Sequence, residues 1–187
     1  MNLQNIINRA MEVGGAIADI ASEAAKAAKE EFQRKTTKSC HDVADIFNDV
    51  IMEFNWRDYA VSLQDTPSDS IKKNVNCGAE HANEIVGVTS PIDKKVIFYV
   101  LALTKAVNLL WFIPSEKVVR SFVKHEHRHV QQYERLREVG GEEALGNALM
   151  DEFFTLFYGS SKLEKDAYRY QIGLVDDLDE VIAEYVR

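Results

Sequence analysis

The chain is poor in cysteine and has no long apolar run, and each shortage argues against a class of protein. Its two cysteines, Cys40 and Cys77, are too few for a disulfide framework, so we expect free thiols. No uninterrupted apolar run approaches the roughly 20 residues of a membrane-spanning helix. Arg9, Glu12 and Asp19 stand where a secretory signal peptide would be apolar. We therefore expect a cytoplasmic protein without membrane contact, and export that needs no such signal stays open.

Acidic residues outnumber basic ones, 30 to 22, and this balance limits the kind of partner that the chain is expected to bind. The formal net charge is -8, whereas a surface that binds nucleic acid normally shows net or clustered positive charge. We therefore expect no nucleic-acid partner.

The composition otherwise predicts one main domain preceded by an arm. Apolar residues make up 46% of the 187 residues, and only three residues are proline. This length and apolar content suffice for one hydrophobic core. Residues 1–35 are rich in alanine, lysine and glutamate and are predicted to form a helical arm with a break at Gly14-Gly15. The arm could dock a partner or a second copy of the chain. Residues 36–187 form the predicted domain.

Hydrophobic periodicity and turn residues predict the elements of that domain. In chain order they are a helix within 40–56, a short alternating segment within 57–70, a β-hairpin within 83–103, a helix from Pro114-Ser115 to Gly140-Gly141, and helical segments at 142–158 and 162–187. The predicted fold class is therefore α+β, mostly helical with a small antiparallel sheet.

The segment "HEHRH", residues 125–129, holds three of the five histidines and lies within the helix that begins at Pro114-Ser115. At roughly 100° per residue, His125, Glu126 and His129 fall inside or beside the apolar arc of this helix. His127 and Arg128 fall on the opposite arc, which is predicted to face solvent. That arc also holds Lys117, Arg120, Lys124, Gln131 and Arg135.

A glutamate on an apolar arc needs a compensating partner, and a metal site provides one. Burial of an unpaired charge costs at least several kcal/mol, so such a group is paired, hydrogen-bonded or close to a metal. The i, i+4 spacing of His125 and His129 suits two ligands of one tetrahedral zinc, with Glu126 facing the open coordination position. This is the H-E-x-x-H pattern. The alternative is a pair of hydrogen-bonded core histidines beside a salt-bridged glutamate.

A catalytic zinc usually takes a third protein ligand. The following "HVQQYERLRE" lacks the glycine and third histidine of a metzincin. Glu164 lies on the apolar arc of its predicted helix and Asp166 on the polar side, so Glu164 is the better candidate. Ala167 would leave room for a metal, and Tyr168 shares the face of Glu164. The alternative role for Glu164 is a first-turn acid that interacts with the helix dipole. Glu164 is chosen from four acidic candidates downstream of the histidines, namely Asp151, Glu152, Glu164 and Asp166.

"HEHRHVQQ" followed by "KLEKDA" resembles zinc metallopeptidases of the gluzincin type, and in its extended form is similar to small zincin-like domains of bacteria and their phages. The resemblance covers roughly residues 90–175. It implies a zincin-like domain in which His125, His129 and Glu164 bind Zn²⁺ and Glu126 is the general base. It also implies that the strand "KKVIFYVLAL" is the sheet edge along which a peptide lies. Tyr168 stands where thermolysin-like enzymes have an orienting aspartate, a role that Asp166 or a backbone carbonyl could take instead.

The expected function is therefore zinc-dependent hydrolysis of a peptide or protein substrate. Zinc lowers the pKa of a bound water to about 7, and Glu126 moves its proton to the leaving amine. Tyr168 or Tyr158 could donate to the oxyanion, and Gln132 either hydrogen-bonds near the site or simply packs. Two alternatives stay open. One is a non-catalytic zincin-like or helical interaction module with its metal structural or absent, and the other is a hydrolase whose substrate is not a peptide.

Overall fold

The computed structural model describes residues 22, 26, 37–68, 84–154 and 161–186, without the side chains of residues 153 and 154. The predicted arm at residues 1–35 lies outside the described residues apart from positions 22 and 26, and so do Cys77 and Tyr158. The unit Lys38–Arg187 is the one described below.

The described elements confirm a mixed α+β fold. They are helix α1 (Cys40–Ile51), strands β1 (Ala60–Gln64), β2 (Gly87–Ser90) and β3 (Lys95–Tyr99), and helices α2 (Val100–Leu109), α3 (Ser115–Phe154), α4 (Lys162–Gln171) and α5 (Asp179–Ile182). No helix within the described ranges combines the length and the apolar character that crossing a bilayer would require.

Helix α1 forms where the periodicity predicts it. The Ser39 hydroxyl accepts from the backbone N–H of Asp42, and the Asp42 carboxylate accepts from the backbone N–H of Ser39, so the helix begins with a reciprocal cap. Its apolar face buries Val43, Phe47 and Val50. The local sequence therefore determines both the start and the buried side of α1.

The three-stranded sheet has the order β1-β3-β2. The predicted hairpin is confirmed, because β2 pairs antiparallel with β3 around the turn at 91–94. The predicted all-antiparallel sheet is wrong, because β1 pairs parallel with β3. Strand β3 is therefore central, and the expectation that it forms the edge of the sheet is also wrong. The edges of the described sheet are β1 and β2.

The apolar run after residue 94 divides between two elements. Strand β3 ends at Tyr99 and helix α2 begins at Val100, whereas the sequence predicted one strand to residue 103. Helix α2 buries Ala102, Leu103 and Val107. A short apolar run of this kind cannot be assigned to strand or helix from periodicity alone.

Helix α3 is two helices joined at a kink. Gly141 has φ 65 and ψ -164, a conformation that L side chains rarely adopt, and it interrupts the helix where the glycine pair predicts a break. The predicted helix at 162–187 is wrong beyond Gln171. Gly173 has φ 76, and the chain from 174 to 178 is not helical before α5 begins.

Two apolar cores flank the middle of α3. The first packs α1, β3 and α2 against the N-terminal half of α3 as far as Val130. The second packs α4 and α5 against α3 from Tyr133 onward. Residues 125–129 therefore lie where the two cores adjoin, with an element packed on either side of them.

We expect replacement of Phe47 by alanine to lower the free energy of unfolding by about 3–5 kcal/mol. The Phe47 ring is almost fully buried, with its centroid 4.9 Å from that of Phe98, so the substitution leaves a cavity between α1 and the sheet. Urea unfolding of the variant measures the loss, with Asn48→Ala on the exposed side of α1 as the control. A loss under about 1 kcal/mol would contradict this core assignment.

Candidate metal centre

Helices α3 and α4 bring together the three predicted ligands. His125 and His129 lie one turn apart on α3, and both are buried. Glu164 lies in the first turn of α4, where the Ser161 side chain caps the helix by accepting from the backbone N–H of Glu164. This cap and the packing of α4 on α3 present the Glu164 carboxylate to both imidazoles.

The ligand atoms of the three side chains are close enough to share one ion, with a different Glu164 oxygen nearest to each histidine. The two Nε2 atoms are 3.3 Å apart. Glu164 Oε2 lies 3.3 Å from Nε2 of His125, and Oε1 lies 3.5 Å from Nε2 of His129. An ion that binds tetrahedrally at about 2.0–2.1 Å separates its ligand atoms by about 3.3–3.4 Å. His125, His129 and Glu164 could therefore hold a metal ion.

One buried polar atom without a hydrogen-bond partner also fits a cation. Glu164 Oε2 is buried and has no hydrogen-bond partner. An unsatisfied carboxylate oxygen is costly in a buried site, and metal coordination is one of the few ways to compensate it. The donor set of two imidazoles and one carboxylate is one that zinc accepts.

Gln132 determines which nitrogen of His129 is free. The Gln132 amide nitrogen donates to Asp166 Oδ2 at 2.8 Å and to the Leu163 carbonyl at 2.9 Å, so both of its hydrogens have acceptors. Its oxygen therefore faces Nδ1 of His129, 2.8 Å away, and accepts a hydrogen bond from the Nδ1–H group. A neutral His129 ring then carries its lone pair on Nε2, which faces Glu164 and His125.

Arg128 extends the hydrogen bonds that join His129, Gln132 and Asp166. The prediction that Arg128 lies on a solvent-exposed arc is wrong. Its side chain is only 2% exposed. The guanidinium donates through Nε to Asp166 Oδ2 at 2.6 Å and through Nη2 to Oδ1 at 3.2 Å. It also donates to the carbonyls of Asp176 and Asp177 and lies over the Tyr170 ring. The chain after α4 covers this side of α3, and no local signal in the sequence indicates that cover.

Asp166 was predicted to lie on the polar side of α4 and is instead buried. Its carboxylate pairs with Arg128 and accepts from Gln132, so it lies one residue removed from the ligand His129. Asp166 is therefore linked to His129 through the side chain of Gln132.

His127 is likewise buried rather than solvated. Its Nε2 donates to the Asn55 carbonyl at 3.0 Å, and its ring packs edge-on against Phe54 and Trp56. Burial lowers the pKa of His127, so the ring is neutral at pH 7. The segment after α1 covers this side of α3, and His127 belongs to the packing.

Without a metal, His129 and Glu164 favour each other's charged form. Burial opposes charge on His129, but the Glu164 carboxylate outweighs it and raises the pKa of His129 to about 10. Burial likewise opposes charge on Glu164, and His129 outweighs it, so the pKa of Glu164 lies well below its ordinary value. A metal therefore displaces a proton from His129, and its affinity falls as the pH falls.

The other candidate acids are engaged elsewhere. Asp151 accepts from the Tyr185 hydroxyl at 2.6 Å. Glu152 accepts from the Tyr133 hydroxyl at 3.0 Å, and burial raises the pKa of Glu152 to about 7. Neither belongs to the set of residues whose atoms converge with those of His125 and His129.

Glu126 and Tyr168 lie beside the three ligands. The Glu126 carboxylate is 6% exposed and accepts at Oε2 from the Thr89 hydroxyl of β2 at 2.7 Å. The Tyr168 ring is half-exposed, with its centroid 4.6 Å from that of His125. Burial raises the pKa of Tyr168, so its hydroxyl keeps its proton at neutral pH. The catalytic roles of both residues stay predictions.

Comparison with protein-family models, with curated proteins and with solved structures finds no match to this chain. Any function for the centre therefore has to be argued from its own geometry.

We expect Arg128→Met to lower the free energy of unfolding by about 3–5 kcal/mol, because it leaves the Asp166 carboxylate buried and unpaired. The matched control is Arg135→Met on the same helix. Arg135 is more exposed and pairs with Asp179 at the surface, so its loss should cost at most about 1 kcal/mol. Chemical denaturation of both variants decides the comparison, and equal losses would contradict the buried network.

We expect Gln132→Leu to weaken zinc binding by about 10–100-fold, because the variant no longer holds the proton on Nδ1 of His129. Competition titration with a zinc-binding dye measures the affinity. Gln131→Leu is the control, since Gln131 contacts Arg128 and no ligand. An unchanged affinity in Gln132→Leu would remove Gln132 from the support of the site.

Proposed function

We propose that this protein is a zinc-dependent hydrolase that cleaves peptide bonds. The observation that carries the proposal is the convergence of His125, His129 and Glu164, whose ligand atoms lie within 4.8 Å of one another, with the buried carboxylate of Glu126 beside the two histidines on α3. A structural zinc site is closed by four protein ligands, whereas a catalytic site has three and an open position. Within the described part of the chain three candidate ligands converge, and the nearby Glu126 carboxylate is not one of them, which matches the second arrangement.

Zinc is the proposed metal because of the donor set and its spacing. Imidazole nitrogens suit zinc and other transition metals, whereas magnesium and calcium prefer oxygen ligands. A zinc ion held by these residues would supply Lewis acidity, which lowers the pKa of water to about 7 and polarises a carbonyl.

The chain's own residues supply the proton transfers. Glu126 accepts the proton of the attacking water and delivers it to the leaving nitrogen. Tyr168, protonated and half-exposed beside His125, donates a hydrogen bond to the oxyanion that develops on the substrate. Gln132, Asp166 and Arg128 hold His129 in the tautomer that ligation requires.

The edge of β2 favours a peptide substrate. The backbone N–H of Tyr99 donates to the Val86 carbonyl, so alternate residues of β2, namely Val88 and Ser90, bond to β3. Gly87 and Thr89 therefore direct their N–H and C=O groups away from β3, and no described strand pairs with that edge. An extended peptide can pair there, next to Glu126.

We expect about one zinc per chain in protein purified without chelators, measured by elemental mass spectrometry. His129→Ala should lose the metal, because it removes a ligand, while His41→Ala, a change of an exposed histidine on α1, should keep it. Glu126→Gln should keep the zinc but cut peptide hydrolysis by about 10²–10⁴-fold, because glutamine cannot accept the proton. Hydrolysis is followed by mass spectrometry on unfolded protein substrates.

Two results would contradict the proposal. One is a wild-type protein that holds no zinc even after incubation with it. The other is a Glu126→Gln variant that hydrolyses as fast as the wild type. A zinc-loaded protein that hydrolyses no substrate would instead favour a binding module.

A further inference from the structure

We propose that Thr89 and Gly87, two residues of β2, are positioning residues that hold the Glu126 carboxylate in its working orientation. The inference rests on the proposed hydrolase function, since it assigns these residues a role in the proton transfer made by Glu126. Both side-chain positions lie on the same face of β2, because residues two apart in a strand point the same way. That face is turned toward α3.

Thr89 binds one oxygen of the carboxylate. Its hydroxyl donates to Glu126 Oε2 at 2.7 Å, the length of a charge-assisted hydrogen bond. A glutamate side chain has several rotatable bonds, and within the described part of the chain no other hydrogen-bond donor reaches this carboxylate. The Thr89 bond therefore selects one orientation of Glu126 among those its side chain could adopt.

Gly87 provides the space for the same carboxylate. A Cβ at position 87 would lie 2.7 Å from Glu126 Cγ and Oε1 and 2.8 Å from Cδ. Those distances are shorter than real Cβ contacts, so any other residue at 87 would push the carboxylate away. One carboxylate oxygen is bound by Thr89, and the other occupies the space that a Cβ at position 87 would need, so the hydrogen bond and the missing side chain together favour one orientation of the group.

Orientation matters for the proposed chemistry because a proton acceptor acts only within hydrogen-bond reach of the water that it deprotonates. A displacement of about 1 Å in a catalytic group can lower a rate by about 100-fold. Thr89 itself is only a donor to Glu126 and takes no proton in the reaction. Its effect should therefore appear in kcat, while zinc content and KM stay close to those of the wild type.

The test compares four zinc-loaded, full-length variants: Thr89→Val, Thr89→Ser, Gly87→Ala and Ser90→Ala. Valine keeps the shape of threonine without its hydroxyl, and serine keeps the hydroxyl. Ser90 lies on the same strand but its hydroxyl contacts Asp93, so Ser90→Ala is the matched control. Zinc content, Tm, kcat and KM are measured for each.

We expect Thr89→Val to lower kcat by about 10–100-fold with the zinc content unchanged, since a hydrogen bond to a charged group is lost. Thr89→Ser should recover most of the rate, Ser90→Ala should match the wild type, and Gly87→Ala should lose about 100-fold or more. A wild-type kcat in Thr89→Val, or a loss that serine does not rescue, would overturn the proposal. If Gly87→Ala fails to fold, the valine and serine pair decides the question alone.

A wild type that cleaves no substrate would defeat the hydrolase function without deciding the positioning role. Crystal structures of the zinc-loaded wild type and Thr89→Val then decide it. A Glu126 carboxylate that turns away from β2 in Thr89→Val supports positioning, and one that stays in place overturns it.

Discussion

The candidate centre depends on the buried ion pair between Arg128 and Asp166. The pair joins α3 to α4 through two parallel hydrogen bonds, and Asp166 lies two residues after Glu164. Removal of two charges from water costs several kcal/mol for each ion, so such a pair is stable only when its remaining polar groups are satisfied. Here Gln132 and the carbonyls of Asp176 and Asp177 complete it. The same bonds that anchor α4 place Glu164 opposite the two histidines.

The centre and its support share one helix. Residues 125–129 of α3 hold the two candidate histidine ligands at their ends and two groups that pack the helix against its neighbours, and all five residues are buried. His127 secures the side toward the segment after α1, and Arg128 secures the side toward α4. Because both sides are covered, water is largely excluded from the ligands, which strengthens every electrostatic interaction among them. Burial disfavours a charge on His129 and on Glu164, and the attraction between the two groups outweighs it.

Local patterns predicted the parts of the fold whose partners are close in sequence. Helix α1, the β2-β3 hairpin and the break at Gly141 follow from spacing, turn residues and the conformational freedom of glycine. The secondary-structure prediction failed where a sequence pattern is compatible with both a strand and a helix, and where the partner of a strand is distant in sequence. The apolar run at 100–103 suits a strand as well as a buried helix, and the parallel pairing of β1 with β3 joins residues 35 apart in sequence. At Gly173 the predicted helix was extended too far, because its apolar residues continue beyond the turn.

The sequence by itself determined which residues share a face of one helix. The i, i+4 spacing places His125 and His129 on one side of α3 whatever surrounds the helix, and the same periodicity places Glu164 on the inner face of α4. Only the tertiary structure decided that His127 and Arg128 are buried, that Asp166 acts through Gln132, and that β2 rather than β3 lies next to Glu126. Helical periodicity describes one helix in isolation. Burial, in contrast, depends on segments far away in the chain, such as Asp166, 38 residues from Arg128, and Thr89, 37 residues from Glu126.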